Sequence, residues 1–300
     1  MVKFTVIIPA YNSLATIPAT IASLSLDCHR DFVQEILVVD SSDAPASIEY
    51  LVAAEARGEI RLISCATKTM PSIARNVGAR AALSPYLVFI DSDVTVTAQW
   101  SRKIADFFSA GGLAGAGSVT IPPHQRKSLL PLGQLYLQFN EFLDTAPRQV
   151  KPFAPSCNLF CTRAVFDAAG GFPSIRASED VLFCLKLSRL TELVFLPEAR
   201  VCHIFREQFA PFVKNQVLLG RYVNIYRRSI NPAAFYLSGF GALLAAPAIT
   251  LIKFLRIVSR IAGSNQSHRM AFLLSFPVFL YGLFCWAYGF IQGGFSDEVV

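Results

Sequence analysis

Two stretches near the C-terminus, Pro232–Ile252 and Met270–Phe295, run without a single charged side chain. A helix needs about 20 apolar residues, each rising about 1.5 Å, to cross the hydrocarbon core of a bilayer. Both stretches are long enough. A hairpin buried inside a soluble protein is the alternative, but it requires a large apolar host. The residues before the tail have ordinary mixed composition and suffice for one α/β domain of moderate size. Only 16% of the whole chain is charged, against about 25% in an average soluble domain, and the deficit is deepest in the tail. The expected organisation is an α/β domain over residues 1–202, an amphipathic segment over 203–230 and two membrane-embedded helices within 231–296.

The segment before the tail supports a membrane surface. Phe205, Phe209, Phe212, Val213, Val217 and Tyr222 recur at helical spacing, with Arg206, Lys214 and Arg221 at the edges. That pattern suits a helix lying in the headgroup plane, and equally a surface helix packed on a domain. Leu129–Leu143 reads as a second interfacial patch. Topology stays open. If both tail helices span, the loop 253–269, with Lys253, Arg256, Arg260, Arg269 and His268, lies opposite the catalytic domain, against the inside-positive bias. A re-entrant hairpin removes that conflict. The expected location is the cell membrane, with the domain facing the cytoplasm.

Net charge is +6, too weak and dispersed for a nucleic-acid partner; a basic face toward anionic lipid fits it better. Seven cysteines show no framework spacing. Cys157 and Cys161 lack the second pair that would make a zinc site, so buried thiols in a reducing compartment are expected. Val2–Ala10 leads straight into a strand, with no secretory cleavage pattern.

The N-terminal half alternates apolar runs with helical patterns. Phe4–Ile8, Ile36–Val39, Ile60–Ile63 and Tyr86–Ile90 read as strands. A helix marked by Ile17, Ile21 and Leu24 is expected to be capped by Asn12 or Ser13, and another runs from Ser72 through Ala82. Strands of unbroken apolar character imply a mostly parallel sheet covered on both faces, with ligands outside the carboxyl ends of the strands. Asp40, Asp91 and Asp93 fall at those ends. No glycine-rich dinucleotide turn follows the first strand and no phosphate-binding Gly-Lys-Ser/Thr loop occurs, which removes the support for dehydrogenase and P-loop readings.

Four groups can carry chemistry. Asp91-Ser92-Asp93 offers two carboxylates to one hard cation, Mg²⁺ or Mn²⁺, alongside diphosphate oxygens. Arg75-Asn76 sits early in a helix, where a guanidinium and terminal amides suit a diphosphate. Gly78 leaves room for a close neighbour. Glu179-Asp180 either caps a helix or supplies a carboxylate to remove an acceptor proton. His203 is either a structural histidine or a further metal ligand.

Together these residues resemble the inverting family 2 glycosyltransferases of GT-A fold. The resemblance covers about residues 2–205. It rests on Val6-Ile7-Ile8-Pro9-Ala10-Tyr11-Asn12, Val38-Val39-Asp40-Ser41-Ser42-Asp43, Ala74-Arg75-Asn76-Val77-Gly78, Phe89-Ile90-Asp91-Ser92-Asp93 and Glu179-Asp180. It implies a GT-A nucleotide-sugar-binding domain, joined here to a hydrophobic helical hairpin. By the same resemblance, Pro9, Tyr11, Asp40 and Asp43 surround the nucleoside of a nucleotide-sugar, with a UDP-sugar as the implied donor. Arg75 and Asn76 lie near the pyrophosphate or sugar. Asp93 is the principal metal ligand; Asp91, with Ser92, lies beside the ribose or sugar and can share the metal, which His203 joins. Asp180 is the general base, and Glu179 supports it or contacts the acceptor. The implied acceptor is membrane-associated: a polyprenyl phosphate, a glycolipid or an envelope glycan.

The chain departs from the family pattern in two places. Ser41-Ser42-Asp43 replaces the commoner second Asp followed by Gly-Ser. The Gln-x-x-Arg-Trp signature of processive synthases is absent at both Gln208 and Gln216, which favours transfer of one sugar over polymerisation. A nucleotidyltransferase, a sugar-nucleotide hydrolase and a non-catalytic membrane assembly factor are the rival readings.

Overall fold

The computed structural model describes residues 1–298. In chain order the elements are β1 (Phe4–Ala10), α1 (Ile17–Leu24), β2 (Val33–Asp40), α2 (Pro45–Ala56), β3 (Arg61–Ser64), α3 (Pro71–Ala81), β4 (Tyr86–Ile90), β5 (Val94–Val96), α4 (Trp100–Ser109), β6 (Ala114–Thr120) and α5 (Leu129–Phe139). There follow β7 (Gln149–Val150), β8 (Asn158–Thr162), α6 (Arg163–Ala168), α7 (Glu179–Leu187), β9 (Leu193–His203), α8 (Phe209–Ile230), α9 (Gly239–Ala262) and α10 (Gln266–Gly294). The chain forms two compact units. Unit 1 holds Met1–Thr120, Pro147–Ser174 and Glu179–Ile204; unit 2 holds Ile121–Ala146, Ile175–Ser178 and the chain from Phe205 onward.

Unit 1 is built on one sheet with the order β3-β2-β1-β4-β8-β6-β9-β5, and β7 paired to β9. The four strands legible as apolar runs are mutually parallel. Beyond β4 the sheet is mixed: β8 is antiparallel to both β4 and β6, while β6 and β9 run parallel. Val6, Ile7, Ile8, Leu37, Val38 and Val88 are sealed from solvent, as expected of strands covered on both faces. Gly78 does what its position suggested. A Cβ there would stand 2.5 Å from Ile7 Cγ2, so only glycine lets α3 lie this close to the sheet.

The start of α1 differs from the sequence expectation. Its N-cap is Thr16, without a side-chain bond, and the Ser13 carbonyl takes the amides of Thr16 and Ile17 instead. Asn12 has a left-handed backbone, φ 49°, and serves the site described below.

Unit 2 is helical. α8 and α10 pack closely: a Cβ on Gly220 would run into the Trp286 carbonyl, and one on Gly289 into the Val217 carbonyl. The aromatic stripe of α8 therefore turns largely inward, with Phe212 and Tyr222 buried and Phe209 exposed. α5 is also packed by protein. Leu132, Leu135, Tyr136, Leu137 and Phe139 are buried, Tyr136 stacks edge-on against Phe272, and Gly133 abuts Val278. The expected interfacial patch over Leu129–Leu143 is thus a core helix of this unit, with only its first residues exposed. Among the described residues two helices, Gly239–Ala262 and Gln266–Gly294, are long and apolar enough to cross a membrane.

Candidate active site

All the residues singled out in unit 1 gather at or after the carboxyl ends of its strands. β1 and β2 end in register, Ala10 opposite Asp40, which sets the two following turns side by side. Asn12 joins them. Its amide nitrogen donates to Asp43 at 2.6 Å, and its side-chain oxygen accepts the backbone amides of Asp43 and Ala44. The Tyr11 hydroxyl donates to the other Asp43 oxygen at 2.8 Å. Hydrogen bonds from Asn12 and then Tyr11 hold the Asp43 carboxyl below its ordinary pKa. Asp40 is buried and accepts the Ser42 hydroxyl at 2.6 Å. Ser42 also accepts the Asn12 backbone amide, so the Ser41-Ser42 variation is built into the pocket wall. Pro9 ends the apolar run and is half-buried beside it. The Lys68 ammonium, on the loop after β3, lies 3.9 Å over the Tyr11 ring.

The second cluster follows β4. Asp91, Asp93 and His203 each present a ligand atom within 4.8 Å of the others. The sheet explains how residues so distant in sequence meet. β5 pairs antiparallel with β9, Val94 opposite His203, and the Ile204 amide donates to the Asp93 carbonyl at 2.8 Å. His203 Nδ1 faces the Ile204 carbonyl, which can only accept, so Nδ1 donates and Nε2 turns toward Asp93 at 3.6 Å. A fixed tautomer presenting Nε2 is what a metal ligand needs. Two carboxylates and one imidazole form a donor set that fits Mn²⁺ or Mg²⁺. Ser92 holds the turn: its carbonyl accepts the Thr20 hydroxyl at 3.0 Å.

Arg75 links this cluster to the acidic pair. It is buried and donates to Asp91 at 2.5 Å and to Glu179 at 3.0 Å. Burial works against its charge, but Asp91, Glu179 and Asp180 outweigh burial and hold its pKa above the ordinary value. Glu179 is pushed up to about 7, by burial first and by Asp180 next, with Arg75 pulling the other way. Asp180 is also raised by burial, while the amides of Val181 and Ser156 and the Arg75 charge oppose that. Ser178, immediately before the pair, has φ 66°. A non-glycine residue there is a strained backbone held by its surroundings.

Asn76 is bound to the chain: its side-chain amide donates to the Phe172 carbonyl at 2.8 Å and accepts the Phe172 amide at 2.9 Å. It buttresses the Gly170-Gly171 turn, where both glycines have positive φ. Sequence reasoning missed Lys68, and it missed the Ser156-Cys157 stretch. The Ser156 amide donates to Asp180 at 3.4 Å, and burial with the fields of Asp91, Asp93 and Asp180 keeps the Cys157 thiol well above its ordinary pKa. The missing signal was topological: Ile90 pairs with Asn158 across an antiparallel junction.

A family model described as glycosyl transferase family 2 matches residues 5–170. A pre-mycofactocin glycosyltransferase of Mycobacterium tuberculosis is 25% identical over 225 residues, which is 72% of this chain and 46% of that protein. An amylovoran biosynthesis glycosyltransferase of Erwinia amylovora is 33% identical over 95 residues, 31% of either chain. This chain thus spans less than half the length of these curated relatives. A mannosyltransferase from Pyrobaculum calidifontis, solved in complex with GDP-Man and Mn²⁺, superposes with a TM-score of 0.65 over 99% of this chain and 88% of its own, at 15% identity. That likeness shows the fold, which is of the GT-A type.

Proposed function

We propose, from the premise that this chain belongs to glycosyl transferase family 2, that it moves a single sugar from a nucleotide-sugar to a membrane-associated hydroxyl acceptor, with inversion at the anomeric carbon. A UDP-linked donor and a polyprenyl phosphate, glycolipid or envelope glycan acceptor are part of the reading. One observation carries it. The acidic pair Glu179-Asp180 is linked through buried Arg75 to the Asp91, Asp93 and His203 cluster. That linkage supports reading the acidic pair as the proton acceptor and the Asp91, Asp93 and His203 cluster as the diphosphate-holding group of one site.

Each residue then has a task. Tyr11, Asp40 and Asp43 border the nucleoside. Asp91, Asp93 and His203 would hold the divalent cation, whose chemistry is to offset charge on a departing diphosphate. Arg75 keeps its charge and adds a cationic wall to the same region. Asp180 takes the acceptor proton as the acceptor oxygen attacks from the side opposite the nucleotide. Glu179, held by Arg75, sets the field in which Asp180 works. The apolar helices α9 and α10 keep the protein at the membrane from which the acceptor comes.

The test is a panel of labelled nucleotide-sugars incubated with purified protein and native membrane lipids, with every product identified. A glycosylated lipid or glycan of inverted configuration is the expected product. Release of free sugar or sugar phosphate without an acceptor would identify a hydrolase. Absence of donor turnover across the panel would leave a non-catalytic assembly factor.

A further inference from the structure

The hairpin formed by α9 and α10 carries a continuous apolar outer face. Phe240, Leu244, Leu251, Leu255, Leu274 and Phe284 are all exposed, at spacings that keep them on one side of each helix. We infer that this face is covered by one leaflet of an anionic lipid bilayer, entered and left from the same side, so that neither helix crosses. The inference rests on the membrane association proposed above and adds its topology.

Charge agrees with the occupant. Residues 231–296 contain no acidic side chain, while Arg256 and Arg269 stand exposed beside the loop that joins the helices. Cations flanking an apolar face match the headgroups of acidic phospholipids.

The path of the chain excludes a double crossing. Among the places where it enters or leaves unit 2 are Ile121, Ala146 and Phe205, and each adjoins a strand: Thr120 ends β6, Gln149 begins β7 and His203 ends β9. Inside unit 2 the entrances at Ala146 and Phe205 both lie beside the residues that hold the hairpin tip. Near Ala146, Asp144 accepts from His268 Nε2 at 3.0 Å, and Tyr136 donates to the His268 carbonyl at 3.1 Å. Phe205 packs on Phe139 at 5.9 Å, next to Asn140, which accepts from Arg260. Irregular chain running into hydrogen-bonded strands is not stable in the hydrocarbon core, so these entrances, and the tip with them, stay at the surface.

The loop end gives the same answer. Arg260 donates to Asn140 at 2.8 Å and pairs with Glu141 at 3.0 Å, so the hairpin tip is tied to residues 140–144. From Asp144 the chain reaches Gln149 in five steps, about 17 Å when fully extended, which falls short of the hydrocarbon thickness. The tip therefore stays at the surface from which the chain came. Pro247 and Pro277 interrupt the two helices, and proline inside a helix bends it, as a segment that dips and levels out requires. The basic loop then lies on the same side as Arg227 and Arg228, which removes the charge-bias conflict.

The test uses the full chain in sealed membrane vesicles, labelled with a membrane-impermeant maleimide and read residue by residue by mass spectrometry. Ser264→Cys and Asp297→Cys report the hairpin tip and the end of α10, and exposed Cys28 is the reference. Both introduced thiols should label in parallel with Cys28, with a ratio near one before and after detergent. Either thiol labelling on the opposite side from Cys28 would overturn the one-sided topology. In a separate flotation assay, purified protein should bind phosphatidylcholine vesicles more strongly when they contain phosphatidylglycerol, and Leu244→Asp with Phe284→Asp should reduce binding several-fold. No flotation with either vesicle would overturn membrane association itself. Neither readout depends on sugar transfer, so failure of the catalytic reading is seen separately.

Discussion

The two units use the same charged side chains to opposite ends. In unit 2, Arg260 pairs with Glu141 and His268 with Asp144, an acid facing a base in each case. In the unit 1 site, Asp91 and Glu179 pair with a single buried guanidinium, Arg75, Asp180 adds to its field, and Asp93 and His203 stand beside Asp91. Balanced pairs at a partly wet surface hold segments together and contribute little else. An acidic excess in a covered site raises carboxyl pKa values and creates a place where added positive charge is favourable. The contrast teaches that charge stoichiometry, more than the presence of ion pairs, separates a working site from a fastening.

That contrast can be broken by experiment. The largest effect should come from Asp180→Asn, which removes the proton acceptor while keeping shape. Turnover is expected to fall by about 10³-fold with donor affinity by calorimetry almost unchanged; normal turnover would remove Asp180 as the base. Asp93→Ala should lower metal-supported turnover by about 10²-fold and abolish the gain in donor affinity that Mn²⁺ confers. An affinity gain equal to wild type would take Asp93 out of the metal set.

Arg75→Ala leaves the acidic cluster without its buried cation and should cost about 3 kcal/mol of stability, measured by denaturant titration. Little or no loss would show that the carboxylates do not need it. The pH profile follows from the raised pKa values. Because Glu179 sits up to about 7 and Asp180 is raised as well, the pair takes up protons as pH falls through neutrality, and kcat/KM should decline below about pH 7. The folded state binds these protons more tightly than the unfolded chain. This contribution to stability is complete below the unfolded carboxyl pKa and is lost as pH rises toward 7. A flat activity profile from pH 5 to 8 would contradict the shifted carboxyls. The smallest effect belongs to unit 2: Arg260→Ala should cost about 0.5–1 kcal/mol and leave donor affinity untouched.

Much of unit 1 was legible because burial on both faces writes itself as apolar runs. β1, β2 and β4 appear directly in Phe4–Ile8, Ile36–Val39 and Tyr86–Ile90. Asp91 and Asp93 stand out for the same reason, since they follow the end of such a run, whereas Arg75 and Glu179-Asp180 stand out by their place early in helices. The mixed half of the sheet was not legible. β6 reads Ala-Gly-Ala-Gly-Ser-Val-Thr, small residues chosen by close packing: a Cβ on Gly117 would meet the Ala199 carbonyl. Asn12 holds a turn where a helix cap is expected, because an asparagine side chain satisfies a helix end, a turn or a distant backbone equally well. The lining of α5 was taken for a lipid-facing patch because lipid tails and leucine side chains ask the same of a sequence.

The pairing of Val94 with His203 also has a kinetic consequence. On the ribosome Asp91 and Asp93 emerge more than a hundred residues before His203, and the intervening chain includes α5, which belongs to the other unit. The three-ligand set exists only once the final strand has docked on β5. Cation affinity at this set would therefore mark the closing of the sheet, ahead of the helices that follow β9, and a bound ion would hold the last strand against unravelling by mass action.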